Sequence, residues 1–188
     1  MGNILESKKL KDNQIFFIFL QKKNKLVPID DLYFEIDDLK EINEQKKIVL
    51  DNTVSFSRNR HANNILLWGA KGMGKSTLVK SAVCYVNKTS KSNIKLVEVL
   101  NNEIGSLAEI IYELGQINSK FIIFIDDISF RKNENDFRLF KSLVEGSLLS
   151  HIKNVRFYVT SNLRHLSHKG KDQTNNDIEE KEISQNLL

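Results

Sequence analysis

The feature that most constrains this chain is a glycine-rich loop with a basic residue near its end. Residues 69–76 read GAKGMGKS, which fits the pattern G-x-x-x-x-G-K-[ST]. Glycines let backbone N–H groups turn inward without a Cβ in the way, and those groups hold phosphate oxygens together with the positive end of a following helix. The phosphate contacts are therefore assigned to Gly69, Ala70, Lys71, Gly72, Met73, Gly74, Lys75, Ser76 and Thr77.

The surroundings of the loop agree with this interpretation. The loop follows a short continuous apolar run, Ile65–Trp68, which is typical of a buried strand. It precedes a stretch with apolar residues at helical spacing. We expect Lys75 to reach the β- and γ-phosphates of ATP, and Ser76 to complete the ligand shell of a Mg²⁺ ion. The alternative is a glycine-rich turn between strand and helix that binds nothing.

Strand and helix patterns alternate along the remaining chain. Strands are predicted at residues 65–68, 94–100, 121–125 and 155–160. Helices are predicted at 38–56, at 75–87, from 106 onward, and over a stretch that carries Phe137, Phe140, Leu143, Val144 and Leu148. This alternation implies right-handed crossovers and an α/β fold, with a parallel sheet between two layers of helices.

Polar side chains end two of the predicted strands. Asp126 and Asp127 follow the strand at 121–125, and Asn162 follows the strand at 155–160. The carboxyl ends of parallel strands form the ligand-binding edge of an open sheet. Asp126 is assigned to Mg²⁺, directly or through water, and Asp127 to polarising or orienting the attacking water. The alternatives are an acidic pair that caps a helix or solvates a loop, and a turn-forming asparagine.

Composition adds weaker expectations. The formal net charge of +4 favours a polyanionic partner only slightly, and a solvated basic surface is the preferred interpretation. The apolar run at 15–20 is too short to cross a bilayer, so no membrane contact and a cytoplasmic location are expected. Three regions are predicted: an N-terminal extension at 1–35, a nucleotide-binding core at 36–167, and a polar, mobile tail at 168–188.

A few residues near the predicted site allow two interpretations each. We expect Trp68 to belong to the core, although an aromatic ring beside the loop could also stack on adenine. Arg164 is expected at the surface, with contact to a phosphate or a neighbouring subunit as the alternative. His165 and His168 lack partners at metal-ligand spacing and are expected to be solvated or structural.

The ordered set of motifs resembles the core of an AAA+ P-loop ATPase. More narrowly, the chain resembles an uncharacterised bacterial AAA+-like ATP-binding family, through segments that include ANNILLWGAKGMGKSTLVK, FIIFIDDISF and VTSNLRHL. The resemblance implies Walker A roles for Lys75 and Ser76 and Walker B roles for Asp126 and Asp127. It also implies that Asn162 is the sensor-1 residue, between the γ-phosphate and the water. The strand that Asn162 ends would lie between the P-loop strand and the Asp126 strand, and residues 37–39 (Asp37, Asp38 and Leu39) would begin the segment lining the adenine pocket.

The chain departs from the family's pattern in three places. Met73 and Lys71 replace smaller or Arg residues in the loop, with little expected effect. Many AAA+ proteins have Glu where Asp127 stands. After residues 182–184 the family continues through an Asp-Arg-Phe segment, a fifth strand and a helical lid, whereas this chain ends at Leu188. The fifth strand and lid are therefore expected to be missing. The P-loop strand would then be a sheet edge, which the N-terminal extension or a partner would cover.

The resemblance leaves three functional hypotheses open. The first is an ATPase that uses Mg²⁺ and drives a conformational change in a partner, with an arginine finger supplied by a homo-oligomer or a partner protein. The second is a nucleotide-binding module, or truncated remnant, with little or no hydrolysis. The third is a helicase-loader-like ATPase that binds DNA, which the basic charge supports only faintly.

Overall fold

The centre of the molecule is a six-stranded, mostly parallel sheet. The computed structural model describes residues 13–30, 32–128 and 134–162, with side chains from residue 138 onward in the last range. The strands, in chain order, are β1 (Phe16–Leu20), β2 (Lys25–Ile29), β3 (Ile65–Trp68), β4 (Ile94–Glu98), β5 (Lys120–Ile125) and β6 (Val155–Ser161). Their order across the sheet is β2-β1-β4-β5-β6-β3, and of these β2 alone runs antiparallel to its neighbour.

Helices cover both faces of this sheet. They are α1 (Asn43–Ser57), α2 (Lys75–Ser90), α3 (Leu107–Gly115) and α4 (Glu134–Lys141). Helix α4 continues into a π-helical turn at Ser142–Gly146. The predicted three-layer α/β/α class is therefore confirmed, as is the position of β6 between β3 and β5.

Strand β5 shows why the sheet needs a layer on each face. Side chains alternate across a strand, and in β5 both sets are apolar. Phe121, Ile123 and Ile125 are buried in the core under α3 and α4. Ile122 and Phe124 are buried in the core under α1 and α2. A strand with no polar face cannot lie against water, so the sequence requires helices on both sides.

The N-terminal extension forms part of the same sheet. Strands β1 and β2 make a hairpin, and β1 pairs in parallel with β4. Pro28, a residue type that is more typical of loops than of strands, lies in β2 opposite Phe17. A proline is tolerated there because β2 is an edge strand and needs fewer backbone donors. The hairpin thus covers the β4 edge, so the described part of the extension does not cover the P-loop strand, and a partner is the other alternative stated above.

In the part of the chain that the structure describes, the P-loop strand lies at an edge of the sheet, as expected. Among the described strands, β3 pairs only with β6. A cavity of about 630 Å³ runs along this edge between β3 and α1, and Ile48 and Trp68 on its rim are about half exposed. In the ranges 13–30, 32–128 and 134–162, no helix combines the length and apolarity needed to cross a membrane.

The buried phenol of Tyr158 leads to a prediction of how stability depends on pH. Tyr158 is fully buried, and its hydroxyl lies 3.0 Å from the Asn52 amide nitrogen and 2.8 Å from the Thr53 hydroxyl. Burial raises the pKa of Tyr158 to about 12. The unfolded chain then releases this proton near pH 10 while the folded chain keeps it. We expect the free energy of unfolding to fall by about 2–3 kcal/mol between pH 10 and 12.

Urea unfolding of the wild type and of Tyr158→Phe measures this contribution. Because phenylalanine cannot titrate, the variant should lose less stability over the same pH interval. For each protein, the free energy of unfolding is plotted against pH. The difference between the two slopes separates the contribution of Tyr158 from that of the other groups that titrate between pH 10 and 12. Equal slopes would mean that the folded chain does not hold this phenol neutral.

Candidate nucleotide-binding site

The loop at residues 69–76 connects the end of β3 to the start of α2. Gly72 and Gly74 have left-handed backbones, with φ of +84° and +76°. A Cβ built on Gly74 would come within 2.9 Å of Leu39 Cδ2. The first helical hydrogen bond follows directly, from Leu78 N to Gly74 O at 2.8 Å. The loop is thus shaped by glycine and opens onto a helix N-terminus, the geometry that favours anions.

Lys75 holds the loop from inside. Its Nζ donates to the carbonyl oxygens of Gly69 at 2.9 Å and Ala70 at 2.8 Å, and to Asn162 Oδ1 at 3.0 Å. The residues predicted from β3, α2 and the end of β6 therefore meet at one point. An ammonium that already faces the cavity of the loop is placed to meet a phosphate there.

One carboxylate oxygen of Asp126 accepts hydrogen bonds from two hydroxyl groups. Ser76 Oγ and Thr160 Oγ1 each lie 2.5 Å from Asp126 Oδ1. Hydroxyl and carboxylate oxygens are the hard ligands that Mg²⁺ prefers, and Mg²⁺ usually takes only one or two carboxylates. The described residues hold no group of three or more potential His, Cys, Asp or Glu ligands. The donor set at Ser76 and Asp126 therefore fits Mg²⁺ that is also held by phosphates and water.

Asp127 is turned outward by a left-handed backbone. Its φ is +51°, and its side chain is exposed while that of Asp126 is half-buried. Its N–H donates to Thr160 Oγ1 at 2.8 Å. Asn101 Nδ2 donates to the carbonyl oxygens of Asp126 at 3.1 Å and Asp127 at 3.3 Å. The two adjacent carboxylates consequently have different surroundings, which suits two different roles.

Sequence reasoning missed Thr160 and Asn101. Thr160 is fully buried in β6 and contacts both carboxylate residues, while Asn101 lies just after β4 and holds the same turn. A threonine inside a buried apolar strand, two residues before Asn162, was the available signal for the first. Asn101 carried no comparable signal, because asparagine after a strand is common in turns.

An apolar cavity lies beside the loop. Its volume is about 170 Å³, and its walls include Ile42, Gln45, Trp68, Met73 and Leu78. Trp68 is 50% exposed, so the expectation that it belongs to the core was wrong. Strand β3 is the outermost of the described strands on this side, and Trp68 at its end lines the cavity along this edge beside Gln45 and Ile48. Asp37 and Asp38 are exposed, whereas Leu39 packs near Gly74.

Three residues considered above, Arg164, His165 and His168, lie outside the described residues. The other predicted site residues converge at the carboxyl ends of β3, β5 and β6. The loop supplies the backbone cradle and Lys75, β5 supplies the acidic pair, and β6 supplies Asn162. The arrangement can hold an oxyanion, a divalent cation and a polarised water within one small region.

The Thr160 hydroxyl is expected to matter for stability. Replacing Thr160 by Val removes the acceptor of the Asp127 N–H and a donor to Asp126 while keeping the β-branched shape. Leaving buried polar groups unpaired costs about 1–3 kcal/mol. Urea unfolding should show this loss for Thr160→Val and a smaller one for Thr160→Ser, which keeps the hydroxyl. Equal stability of Thr160→Val and the wild type would contradict the role assigned to these bonds.

The strand order and the loop together define the class of protein. A parallel sheet in which the Asn162 strand separates the P-loop strand from the acidic strand has the AAA+ P-loop arrangement. Within that class, residues 12–188 match the model of the family described as "Protein of unknown function (DUF815)". The chain belongs to this family. None of the curated proteins matches it.

Solved structures with a similar fold include a point variant of RuvB from Thermotoga maritima, at 22% identity and a TM-score of 0.49, covering 72% of this chain and 43% of RuvB. C. elegans PCH-2 has 18% identity and a TM-score of 0.49, over 77% of this chain and 43% of PCH-2. A putative primosome component from Streptococcus pyogenes serotype M3 has 14% identity and a TM-score of 0.46, over 69% of each chain. This chain thus spans less than half the length of the first two.

Proposed function

We propose that this protein binds ATP with Mg²⁺ and hydrolyses it to ADP and phosphate, and that hydrolysis changes the conformation of a partner. The observation that carries the proposal is the convergence of Lys75, Ser76, Asp126 and Asn162 beside one glycine-shaped loop. The adjacent apolar cavity of about 170 Å³ would hold the adenine base. Apolar walls beside a few convergent polar groups are typical of nucleotide and small-ligand sites.

On binding, phosphate oxygens would replace hydrogen-bond acceptors that Lys75 contacts in the structure. Its Nζ is held by two carbonyl oxygens and an amide oxygen, all of them neutral acceptors. Phosphate oxygens are charged and accept stronger hydrogen bonds. The N–H groups of the loop and of the first turn of α2 would hold the remaining phosphate oxygens. The site therefore favours a polyphosphate without further rearrangement of the sheet.

Ser76 and Asp126 would hold Mg²⁺. The chemistry that Mg²⁺ would supply there is neutralisation of the charge that develops on the phosphate oxygens during transfer. Asp126 also accepts from Thr160, which is fixed in β6. This contact keeps the carboxylate oriented toward Ser76, so the ligand pair is in position before the nucleotide arrives.

Asp127 and Asn162 would position the attacking water. Asp127 is exposed and adjacent to Asp126, so its carboxylate can accept a proton from a water that faces the phosphates. The Asn162 amide oxygen accepts from Lys75 Nζ, and this contact supports a position for the amide beside the γ-phosphate. An amide there can hydrogen-bond both a phosphate oxygen and the water.

The second candidate is a nucleotide-binding module with little hydrolysis. Of the arginines whose side chains the structure describes, Arg58, Arg60 and Arg156 belong to segments at the amino ends of the strands, opposite the loop, and Arg138 lies in α4. An arginine that stabilises the transition state would therefore come from another part of the chain, from a second copy or from a partner protein. Without it, the site would bind ATP and turn it over slowly.

The deciding experiment measures binding and turnover on the same purified chain. ATP and ADP binding are followed by calorimetry with Mg²⁺ and with EDTA, and phosphate release is followed in parallel over a range of protein concentrations. Mg²⁺-dependent binding with turnover supports the ATPase, and turnover that rises faster than protein concentration supports a shared site. Binding without turnover supports the module, and the absence of ATP binding would contradict both.

A further inference from the structure

The amino ends of the parallel strands form a second surface, opposite the nucleotide loop. Four connecting segments lie there: residues 57–64 before β3, 91–93 before β4, 115–120 at the start of β5, and 147–156 at the start of β6. Their cations are Arg58, Arg60, Lys91, Lys120, Lys153 and Arg156. We call this set the basic face.

The four segments contain no Asp or Glu, although about one residue in eight of the chain is acidic. Acidic side chains border the face instead, at Glu113 in the last turn of α3 and Asp30 after β2. His61 and His151 also lie within the segments, and neither introduces a negative charge. The six cations are therefore not offset by acidic residues within the four segments, and such a local excess of positive charge attracts a polyanion.

Two of the cations are fixed in place without a carboxylate partner among the described residues. Lys120 Nζ donates to Ser57 O at 2.5 Å, and Arg156 Nε donates to Ala62 O at 2.8 Å. Both lie over the ring of Phe56, at 5.8 Å and 5.4 Å from its centroid. Burial lowers the pKa of each group, and no carboxylate of the described residues raises it. Both cations are therefore held in place, and no described carboxylate neutralises their charge.

The surface between these segments is concave and polar. A cavity of about 580 Å³ is lined by Ser57, Asn59, Asn93, Asn118 and Asn154, and Lys120 also contacts it. A second cavity, of about 230 Å³, lies beside Arg156 and includes Asn63, Asn64 and Ser150. Arginine, lysine, asparagine and serine are the side chains that usually contact the phosphates and sugars of nucleic acids.

We infer that the basic face binds the phosphodiester backbone of a nucleic acid. A bilayer would require an apolar surface rimmed by cations, and the one strongly exposed apolar side chain of these segments, Leu148, does not provide it. The concave, amide-rich surface instead suits a strand whose sugars and phosphates hydrogen-bond along it. The inference is independent of ATP hydrolysis, because the face lies at the opposite end of the strands from the loop.

Fluorescence anisotropy with labelled single-stranded and double-stranded oligonucleotides tests the inference. The test variant carries Arg58→Gln, Arg60→Gln and Lys153→Gln, all at exposed positions. The matched control carries Lys22→Gln, Lys23→Gln and Lys25→Gln, which removes the same charge from exposed positions on the hairpin. Each phosphate contact contributes about 0.7–0.9 to the slope of log K against log salt.

The wild type should bind an oligonucleotide with a steep salt dependence. The test variant should bind about tenfold more weakly or worse, with a slope lower by about 2–3, and the control should stay within about threefold. Lys75→Ala should bind as the wild type does. Equal losses in the two triple variants, loss of binding in Lys75→Ala, or no salt-sensitive binding at all would overturn the inference. Binding of anionic vesicles, but not of oligonucleotides, through the same residues would also overturn it.

Discussion

Lys75→Ala is expected to abolish ATP binding at ordinary nucleotide concentrations. Removing one partner of a buried, hydrogen-bonded charge pair costs about 2–5 kcal/mol, so the Kd for ATP should rise by roughly 30-fold to several thousandfold. In the structure, Lys75 Nζ already bonds to Gly69 O and Asn162 Oδ1 inside the loop. Alanine offers the phosphates no donor in its place. Calorimetric titration with Mg²⁺-ATP measures the change.

Lys71→Ala is the matched control for that experiment. It removes the same charge from the same loop, but Lys71 is exposed. Its expected effect on the Kd is below about threefold, because exposed charges in water contribute little. Urea unfolding of both variants separates a lost phosphate contact from a damaged loop. If Lys75→Ala and Lys71→Ala bind ATP equally well, the proposed phosphate site is wrong, whatever their stability.

The layered core follows from local sequence patterns. Strand β5 is apolar on both faces, and α2 carries the stripe Leu78, Val79, Ala82, Val83 and Val86, all of which are buried. Such runs admit few arrangements, since each apolar face must meet another. The predicted strands accordingly match β3, β4, β5 and β6 within two residues at each end. The helix at 38–56 begins only at Asn43, because Glu41 has a left-handed backbone that interrupts it.

The hairpin could not be predicted in the same way, because its partner is distant in sequence. Strand β1 is held by β4, some 80 residues later, through pairs such as Phe16 with Leu96. The run FFIFL is also apolar throughout, so its periodicity does not distinguish a strand from a helix. Pro28 in β2 pointed to a loop. Only the position of β2 at the sheet edge makes that proline compatible with a strand.

Among the site residues, too, some could be predicted from local sequence and others could not. Lys75, Ser76 and Asp126 stand in motifs whose spacing reflects their chemistry, and the structure brings them together. Thr160 and Asn101 act through bonds to residues 25–34 positions away, and nothing local marks them. Trp68 was misplaced for a related reason, since its exposure depends on which strand lies beside β3. Local patterns predict chemistry well, and they predict supporting contacts poorly.

Asp127→Asn is expected to lower kcat by about 10²–10⁴ while ATP binding stays within about threefold of the wild type. The amide cannot accept a proton from water, but it keeps the size of the carboxylate. Asparagine also tolerates the left-handed backbone at φ +51°, so the bonds from Thr160 and Asn101 to this turn should survive. Single-turnover phosphate release at saturating ATP measures the chemical step without product release.

The Asp126→Asn variant distinguishes the proposed role of Asp126 from that of Asp127. If Asp126 holds Mg²⁺, this variant should need a higher Mg²⁺ concentration for half-maximal turnover, whereas Asp127→Asn should be slow at every Mg²⁺ concentration. The structure argues for this split, because Asp126 faces Ser76 and Asp127 faces outward. Wild-type turnover in Asp127→Asn would contradict the role proposed for Asp127. The water would then have to be positioned by Asn162 or by a residue from a second subunit, and in the second case activity should depend on protein concentration.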